Sequence, residues 1–493
     1  MNILGISAGF HDAGISFISD DKILFAAHSE RYSKVKHDSE LNTKILSDCI
    51  SQYGMPDEIA YYERPWLKRT RQIYAGQYHD AFNFKSVRTT LKETAPWANL
   101  HKLPIKHHSH HLSHAAAGFQ TSPFDNATIV VIDAIGEWDT ASIWHAFYNS
   151  KGIVEYDKLW SQKYPHSLGL FYSAMTQRAG LKPLDEEYIL MGMAAYAMYD
   201  ANMYGDFLAD AHDLTFRQNL HVGCDEYHPG MTDFEIAASA QYTLEQCLHH
   251  IMLRAEELDK TGNLVYMGGV ALNCKANDLI GPYFQNVWIM PNPGDCGSSL
   301  GAAALSYGGK LNWQGPYLGS NIPGEYPVKE LLDELITNKI VGVANGRAEF
   351  GPRALGNRSL LADPRGVDIK DKVNAIKRRQ EFRPFAPVIL EEYVDQYFDM
   401  PVGFKTSPYM QAVAYCKDPD KYPAIVHADR TSRVQTVGKD CKSGIRQLLE
   451  AWHVWTGCPM LLNTSLNIRG EPMVNDRSDA DRFEKLYGVR VLS

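Results

Sequence analysis

The chain has 493 residues, of which 45% are hydrophobic and 22% charged, a composition that predicts two or three folded domains and excludes a disordered chain. Its net charge of −9 excludes a generally polyanion-binding surface. The chain shows no signal-peptide pattern, no run approaching the ~18 apolar residues of a membrane span, and no C-x-x-C pair among its eight cysteines, so we expect a protein of the reducing cytoplasm without a zinc ribbon or a disulfide framework.

The N-terminal part alternates predicted strands and helices, which indicates α/β architecture. In chain order the pattern predicts strands at Asn2–Ser7, Gly14–Ile18 and Ile23–His28, a helix at Asn42–Tyr53, a strand at Ala127–Asp133, a helix at Tyr242–Leu258, a strand at Asn263–Met267, and a loop entering a small-residue helix at Pro293–Tyr307.

Glycines and prolines between Gly308 and Tyr326 indicate a domain boundary. We therefore expect a first domain at 1–318, a second at 319–475, and a C-terminal tail at 476–493. Packing of this tail against the first domain is one arrangement open to it. The remaining elements predicted are strands at Lys339–Ala344 and Val388–Leu390, a helix at Ser443–Thr456, and a short helix and strand in Arg477–Ser493.

A run of histidines is the sharpest metal-binding signal. It reads His107-His108-Ser109-His110-His111-Leu112-Ser113-His114, and a helix capped by Ser109 would place His110 and His114 one turn apart on the same face. Two such imidazoles can bind one ion, although a single histidine is more often structural. A carboxylate would ordinarily complete the site. Asp295, in a Gly-rich turn before a helix, is the best candidate, and a simple helix cap is the alternative.

Three Gly-containing turns resemble nucleotide-binding turns. They are Gly5–Asp12, which carries His11 and Asp12, then Asp133–Gly136, and Gly268–Asn273. Each is a weak signal alone, because glycine turns after strands are common. Their order is similar to that of the actin/hexokinase-type ATPase fold.

The second predicted domain carries a local excess of positive charge. Ten Lys/Arg stand against five Asp/Glu between Arg347 and Arg383, and they recur among glycines. Such loops suit phosphate contacts, because Arg forks pair with phosphate oxygens, and a solvated surface is the alternative. Further on, Leu461–Asn467 places hydroxyl and amide side chains directly after an apolar run. Such side chains can orient a triphosphate, and an ordinary polar turn is the alternative.

Taken together, the chain resembles the NodU/CmcH-type O-carbamoyltransferase family, which includes the tobramycin carbamoyltransferase. The resemblance extends from Ile3 to about Val474. It rests on the histidine cluster followed by Gly346–Ser359 (GRAEFGPRALGNRS), Phe382–Pro387 (FRPFAP), Ser432–Thr436 (SRVQT) and Leu462–Gly470 (LNTSLNIRG).

This resemblance implies an actin-like (ASKHA, duplicated ribonuclease-H-like) N-terminal domain, related to the tRNA threonylcarbamoyl-transferring enzymes, and a YrdC-like α/β C-terminal domain. The second domain would join carbamoyl phosphate to ATP as carbamoyl-adenylate, with release of pyrophosphate. The adenylate would then move internally to the metal-containing domain, where an acceptor hydroxyl attacks.

The resemblance also implies residue roles. His110, His114 and Asp295 would bind Fe2+ or another divalent ion. His11 would be the catalytic base, with Asp12 and Glu187 on the acceptor side. Arg353, Lys377 and Arg383 would act catalytically on ATP, with its Mg2+, and carbamoyl phosphate. The remaining residues would bind the adenylate or the nucleotide: Asp133, Gly268, Gly269, Asn273, Arg347, Arg358, Arg433, Thr464, Ser465 and Asn467.

Two positions depart from the family pattern. Ala134 stands where the family usually has glycine, so either that turn is altered or it never needed a positive φ. Ile189 stands where a lysine is usual. The chain is also short for the family, which suggests trimmed loops on the acceptor side.

The acceptor is predicted from a basic and aromatic stretch. Nine Lys/Arg and two acids lie between Arg64 and Lys106. This composition suits a hydroxymethyl-pyrimidine nucleotide or single-stranded DNA, and a solvated helical hairpin is the equal alternative. The interleaved aromatic residues are Trp66, Tyr74, Tyr78, Phe82, Phe84 and Trp97.

Alternatives to this acceptor are a small sugar or antibiotic-type metabolite, a threonylcarbamoyl-type tRNA-modifying activity, and a non-enzymatic actin-like ATP-binding module. The basic stretch argues mildly against an aminoglycoside, which would prefer acidic walls. Oligomeric state stays open, with a homodimer as one outcome.

Overall fold

The computed structural model describes residues 1–83 and 85–493, so Phe84 of the aromatic stretch lies outside the described residues. The chain divides into two compact units. The first comprises Met1–Ala26 and Ser39–Trp313, and the second comprises Ala27–Asp38 and Gln314–Ser493. The expected boundary after residue 318 lies close to the observed one at 313/314, but residues 27–38 join the second unit, which the sequence does not indicate because a short segment carries no signal of where it packs.

The strands up to residue 288 are β1 (Asn2–Ser7), β2 (Gly14–Ser19), β3 (Lys22–His28), β4 (Glu58–Tyr61), β5 (Ile105–His107), β6 (Asn126–Gly136), β7 (Asp139–Tyr148), β8 (Val154–Lys163), β9 (Leu208–Asp210), β10 (Thr215–Phe216), β11 (Asn263–Met267) and β12 (Asn286–Trp288). The helices up to residue 307 are α1 (Glu30–Ser33), which lies in the second unit, and α2 (Thr43–Tyr53), α3 (Pro65–Tyr74), α4 (Tyr78–Phe82), α5 (Val87–Thr94), α6 (His110–Phe119), α7 (Leu168–Arg178), α8 (Glu187–Met193), α9 (Asn202–Phe207), α10 (Asp233–Leu258) and α11 (Ser298–Tyr307).

The first unit repeats one sheet topology. One sheet has the order β3-β2-β1-β4-β5 and the other has the order β8-β7-β6-β11-β12. In the first sheet β1 pairs antiparallel with β2 and parallel with β4, and β4 pairs parallel with β5. In the second sheet β6 pairs antiparallel with β7 and parallel with β11, and β11 pairs parallel with β12. The same mixed order therefore occurs twice.

Helices α6 and α11 pack on each other between these sheets. Helix α11 lies on β1, β2 and β4, whereas α6 lies on β6 and β11. Their close approach depends on Gly301, because a Cβ there would lie 1.7 Å from the carbonyl oxygen of Ser113. This contact holds His114, which follows Ser113, near the turn that begins α11.

The remaining elements, all in the second unit, are strands β13 (Tyr317–Ile322), β14 (Ile340–Ala344), β15 (Gly346–Glu349), β16 (Arg358–Ala362), β17 (Ala386–Leu390), β18 (Phe398–Asp399), β19 (Val413–Cys416), β20 (Thr431–Arg433), β21 (Gln435–Val437), β22 (Met460–Ser465) and β23 (Val491–Leu492), and helices α12 (Val328–Asn338), α13 (Ile369–Lys377), α14 (Val394–Tyr397), α15 (Ile445–Thr456) and α16 (Arg477–Tyr487). Its main sheet has the order β21-β17-β22-β16-β14-β23.

Both faces of this main sheet are buried. Alternate residues of a strand point to opposite faces, so Leu360 packs in the core beneath α13 and α16, whereas Leu361 packs beneath α12 and α15. Such two-sided burial explains why these strands read as continuous apolar runs.

Most predicted elements are confirmed, with ends shifted by a few residues. Helix α10 begins at Asp233 and not near Tyr242, because a Thr232–Glu235 capping box starts it. Strand β13 lies inside the stretch predicted to be irregular. The tail at 476–493 belongs to the second unit, where β23 pairs with β14.

All eight cysteines are free thiols. Within residues 1–83 and 85–493, no helix combines the length and the apolar character that crossing a bilayer requires.

We expect Gly301→Ala to destabilise the first unit, because the added methyl group would force α6 and α11 apart. A cost of about 3 kcal/mol follows from overpacking of this kind, measurable as a lower midpoint in urea unfolding. Gly205→Ala is the matched control, since a Cβ at Gly205 in α9 meets no atom within 4 Å. Equal midpoints for the two variants would contradict the proposed close contact.

Candidate functional site

Four buried side chains converge in the first unit: His110 and His114 on α6, Asp133 in β6, and Asp295 in the turn before α11. The Nε2 atoms of the two histidines lie 3.1 Å apart. Asp295 Oδ1 lies 3.2 Å from His114 Nε2 and 3.3 Å from His110 Nε2. Asp133 Oδ2 lies 3.2 Å from His110 Nε2 and 3.7 Å from His114 Nε2.

These separations fit a metal ion. A tetrahedral ion with ligands at the usual bond lengths holds its donor atoms about 3.3 Å apart, close to the distances found here. Two imidazoles and two carboxylates are also a donor set that divalent transition metals accept. These four residues could therefore hold the metal ion that the sequence predicts, and Asp133 would add a fourth donor atom to the three expected ones.

The supporting contacts orient these donor atoms. His114 Nδ1 donates to the Pro293 carbonyl at 3.0 Å, which leaves its Nε2 to face the cluster. The Gly269 amide donates to Asp133 Oδ1 at 3.2 Å, so Oδ2 faces the histidines. Gly268 adopts φ +93°, and a Cβ there would lie 2.1 Å from the Ile132 carbonyl oxygen. Gly268 and Gly269, expected at the adenylate, thus position a carboxylate of the cluster.

The histidines and aspartates of the cluster shift each other's pKa values in opposite directions. Burial opposes charge on His110 and His114, but Asp295 and Asp133 outweigh it and raise the pKa of both imidazoles. The histidines in turn overcome burial and lower the pKa of Asp133 and of Asp295. Two carboxylates therefore stay ionised in a buried place, which favours a bound cation.

The other histidines of the run have structural contacts. His111 Nδ1 lies 2.7 Å from Ser142 Oγ, and burial lowers its pKa well below the usual value. His108 Nε2 lies 3.1 Å from Ser306 Oγ, and burial lowers its pKa to about 4. Ser109 occupies the N-cap position of α6 without a side-chain hydrogen bond. Only two of the five histidines therefore point into the cluster.

His11 lies beside this cluster. Its Nε2 is 3.9 Å from Asp295 Oδ2, and its Nδ1 is 3.0 Å from Asp12 Oδ2. Burial lowers the pKa of His11, but the hydrogen bond to Asp12 and the charge of Asp295 raise it to about 9. Asp12 therefore orients the ring, and a cation among the ligands would offset Asp295 and favour the neutral imidazole.

Asn273 and Glu187 have local partners. Asn273 exchanges hydrogen bonds with the side chain of Gln241 at 2.9 and 3.2 Å, so its amide is already bound in place. Glu187 Oε1 accepts from Ser173 Oγ at 2.7 Å and from the Leu184 amide at 2.6 Å. Ala134 lies within β6 and has no positive φ, so in this chain the position does not require a glycine conformation.

In the second unit, Lys377 at the end of α13 forms a second cluster. Its Nζ donates to the carbonyl and Oγ of Ser465 and, at 2.9 Å, to Asn467 Oδ1. Burial and the nearby charges of Arg379 and Arg383 lower the pKa of Lys377 well below its usual value. A buried lysine held by neutral groups beside two arginines is a place where a polyanion would relieve repulsion.

The expectation that Arg358 binds nucleotide is wrong. Its side chain is fully buried, and its guanidinium donates to five backbone carbonyls. Those acceptors are Asn345, Asn357, Ser320, Gly346 and Asn475. The guanidinium has no donor left for a phosphate, so Arg358 ties loops of the second unit together.

Arg347 lines a cavity of about 590 Å³ in the second unit. Its guanidinium donates to the carbonyls of Leu318 and Gly319. Other residues on the cavity wall include Tyr317, Tyr326, Asn357 and Lys442.

The other expected nucleotide contacts are half-buried. Arg353 lies in the loop between β15 and β16, Arg433 ends β20, and Thr464 lies on β22. These three positions stay predictions.

In the basic stretch of the first unit, four of the nine Lys/Arg side chains form ion pairs. Five of its aromatic side chains, Trp66, Tyr74, Tyr78, Phe82 and Trp97, are each at least half exposed. Four of its cations form ion pairs: Arg64 with Glu137, Lys68 with Glu63, Lys85 with Glu93, and Lys106 with Glu58. Phosphate contacts from this stretch are therefore fewer than its composition suggested.

Sequence reasoning placed Asp133 in a nucleotide turn and missed its role in the cluster. It also missed Arg379 beside Lys377. The available signal for Asp133 was its position at the end of a buried apolar strand, where a carboxylate is exceptional unless paired.

Comparison with known proteins identifies relatives of the whole chain. A family described as the carbamoyltransferase N-terminus matches residues 66–304, and one described as the carbamoyltransferase C-terminus matches residues 332–492. An uncharacterized protein of Synechocystis sp. is 32% identical over 98% of this chain and 94% of its own length.

Two relatives with descriptive names also match almost the whole chain. The nodulation protein NolNO of Sinorhizobium fredii is 29% identical over 95% of this chain and 76% of its own. The 3'-hydroxymethylcephem-O-carbamoyltransferase of Amycolatopsis lactamdurans is 27% identical over 97% of this chain and 95% of its own.

We expect Asp133→Asn to weaken metal binding by about 10-fold or more, because the amide supplies no negative charge to the ion. Titration with Fe2+ under anaerobic conditions, or with Zn2+, measures the dissociation constant. Asp259→Asn is the control: Asp259 is equally buried and pairs with His145 at 2.8 Å. The same affinity in both variants would remove Asp133 from the ligand set.

Proposed function

Because the chain belongs to the carbamoyltransferase family, we propose that it is an ATP-dependent O-carbamoyltransferase that works through carbamoyl-adenylate. One observation carries the proposal: a buried four-residue ligand set in the first unit and a buried lysine among Ser465 and Asn467 in the second occur in one chain.

The first unit is proposed to be actin-like and the second YrdC-like. The repeated sheet order of the first unit supports a duplicated domain. The mixed main sheet of the second unit, covered by helices on both faces, is compatible with the YrdC-like proposal. The boundaries proposed are those of the two compact units.

The second unit is proposed to form the adenylate. Carbamoyl phosphate loses phosphate to water and gives carbamate, and a carbamate oxygen then attacks the α-phosphorus of ATP. The bond between the α-phosphorus and its bridging oxygen breaks, and pyrophosphate leaves with Mg2+. Lys377, Arg383 and Arg353 would offset the repulsion between the anions, while Thr464, Ser465, Asn467, Arg347 and Arg433 would orient them.

The first unit is proposed to transfer the carbamoyl group. The acceptor oxygen attacks the carbamoyl carbon, the bond to AMP breaks, and AMP leaves. His11, oriented by Asp12, would take the hydroxyl proton. His110, His114, Asp133 and Asp295 would hold a divalent ion, proposed to be Fe2+, which supplies Lewis-acid chemistry when bound.

The acceptor is proposed to bear a hydroxymethyl group on a pyrimidine, as a nucleotide or within DNA. Exposed aromatic side chains on the helices at 65–94 suit stacking of a base. The name of the Amycolatopsis relative also specifies a hydroxymethyl group on a ring. A small sugar or antibiotic-type metabolite is the second candidate. A threonylcarbamoyl-type tRNA activity is less favoured, because both family matches are to carbamoyltransferases.

We expect Lys377→Met to lower carbamoyl-phosphate-dependent pyrophosphate release by about 100-fold, because one charge at the reacting phosphates is lost. Wild-type ATP binding should also take up protons, since the polyanion restores the depressed pKa of Lys377, and calorimetry in buffers of different ionisation enthalpy measures this uptake.

Lys372→Met is the matched control, because Lys372 lies on the same helix but is exposed and pairs with Asp368. Pyrophosphate release that is unchanged in Lys377→Met would exclude this lysine from the reaction. Proton uptake that persists in Lys377→Met would assign it to another group.

We expect mass spectrometry to find one added carbamoyl group on hydroxymethyl-pyrimidine nucleotides or oligonucleotides incubated with ATP, carbamoyl phosphate and the wild-type protein. His114→Ala should release pyrophosphate but leave the acceptor unmodified. Modification of an aminoglycoside or simple sugar in place of the pyrimidine would overturn the acceptor proposal and leave the reaction type intact.

A further inference from the structure

A buried ion pair lies directly behind the cluster. Lys68 Nζ is 2.9 Å from Glu63 Oε1, and the two side chains are only 8% and 3% exposed. The other carboxylate oxygen, Glu63 Oε2, is 3.9 Å from His110 Nδ1. Neither residue touches the reacting groups, so any role in the reaction must act through His110 or the His11 turn.

The two ligand histidines differ in how they are oriented. His114 Nδ1 has a backbone acceptor at Pro293, whereas His110 Nδ1 is buried and has no hydrogen-bond partner among the residues that the structure describes. A neutral imidazole that binds an ion through Nε2 carries its proton on Nδ1, and that proton needs an acceptor. Glu63 Oε2 lies 3.9 Å from this nitrogen and would accept its proton once the two atoms close to hydrogen-bond distance.

The charges of the buried site also depend on this pair. Asp133, Asp295 and Glu63 contribute three negative charges, and a divalent ion together with Lys68 contributes three positive charges. With neutral histidines the site is then electrically balanced. Balance matters because an unpaired buried charge is costly, and without Lys68 the third carboxylate would be in excess.

Lys68 also reaches the turn that carries His11. Its Nζ donates to the Gly9 carbonyl at 3.4 Å and lies 5.3 Å from the centre of the Phe10 ring. The next residue is His11. The ion pair therefore connects the back of a ligand histidine to the segment that presents the proposed base.

We infer that Glu63 and Lys68 are positioning residues of the transfer site: Glu63 orients His110 toward the ion, and Lys68 neutralises Glu63 and anchors the His11 turn. This inference rests on the proposed function for the metal and for His11. The site that Glu63 and Lys68 are inferred to support binds a divalent cation. The affinity for that cation can therefore be measured independently of turnover.

The test compares Glu63→Gln with Glu58→Gln. Glu58 is a second buried glutamate, the first residue of β4, and it pairs with Lys106 at 2.8 Å. Titration with Zn2+ and anaerobic Fe2+ should give a dissociation constant about 10- to 100-fold higher for Glu63→Gln. Glu58→Gln should match the wild-type protein, and pyrophosphate release should be unchanged in both.

Lys68→Met separates the two roles, because it should keep metal affinity within a few-fold but slow carbamoyl transfer. If a single variant folds poorly, Glu63→Gln combined with Lys68→Met removes both charges. This double variant should regain thermal stability without regaining metal affinity, which a purely structural ion pair would not predict.

Wild-type metal affinity in Glu63→Gln or in the double variant would overturn the inference and leave the proposed function standing. A wild-type protein that binds metal but never transfers carbamoyl would instead overturn the proposed function, and the metal affinities would still decide the role of Glu63.

Discussion

The convergence of two imidazoles and two carboxylates, all buried, is the constraint on which the first unit depends. Asp133 and Asp295 stay ionised although burial opposes their charge. Such a group of anions away from water is stable only with compensating cations. Protons on His110 and His114 can supply part of that compensation, and a divalent ion supplies it more fully. The charge balance therefore links the stability of this part of the fold to the chemistry proposed for it.

The fold brings these ligands together through one close helix contact. Helices α6 and α11 each cover a different sheet, and they meet at Gly301, where no side chain would fit. His114 lies on one helix and Asp295 at the turn that begins the other, so the spacing between ligands follows from the spacing between helices. Asp133 comes from a strand of the sheet beneath α6. The ligand geometry is thus built from rigid elements, which is the arrangement that precise positioning requires.

The second unit buries positive charge around Lys377, whereas the first unit buries carboxylates. Lys377 is held by the hydroxyl and amide oxygens of Ser465 and Asn467, with Arg379 and Arg383 close by. The oxygen atoms that accept hydrogen bonds from Lys377 are neutral and do not cancel its charge, which suits anionic reactants that arrive and leave. By contrast, the guanidinium of Arg358 donates its hydrogen bonds to backbone carbonyls and holds loops of the second unit together. Arginines of the same unit can therefore lie in unlike surroundings, one held by backbone carbonyls and others beside a buried lysine.

The sequence by itself determined the α/β pattern, most element positions, the family, and three of the four residues that meet in the buried cluster. Periodicity and the one-turn spacing of His110 and His114 are local properties, so they can be recognised without knowing the fold. Only the tertiary structure decided that Asp133 joins the cluster, that residues 27–38 and the C-terminal tail belong to the second unit, and that Arg358 is structural. It also decided that four cations of the basic stretch are paired with carboxylates. These features depend on contacts between residues far apart in the chain, and composition and spacing carry no information about which distant groups meet.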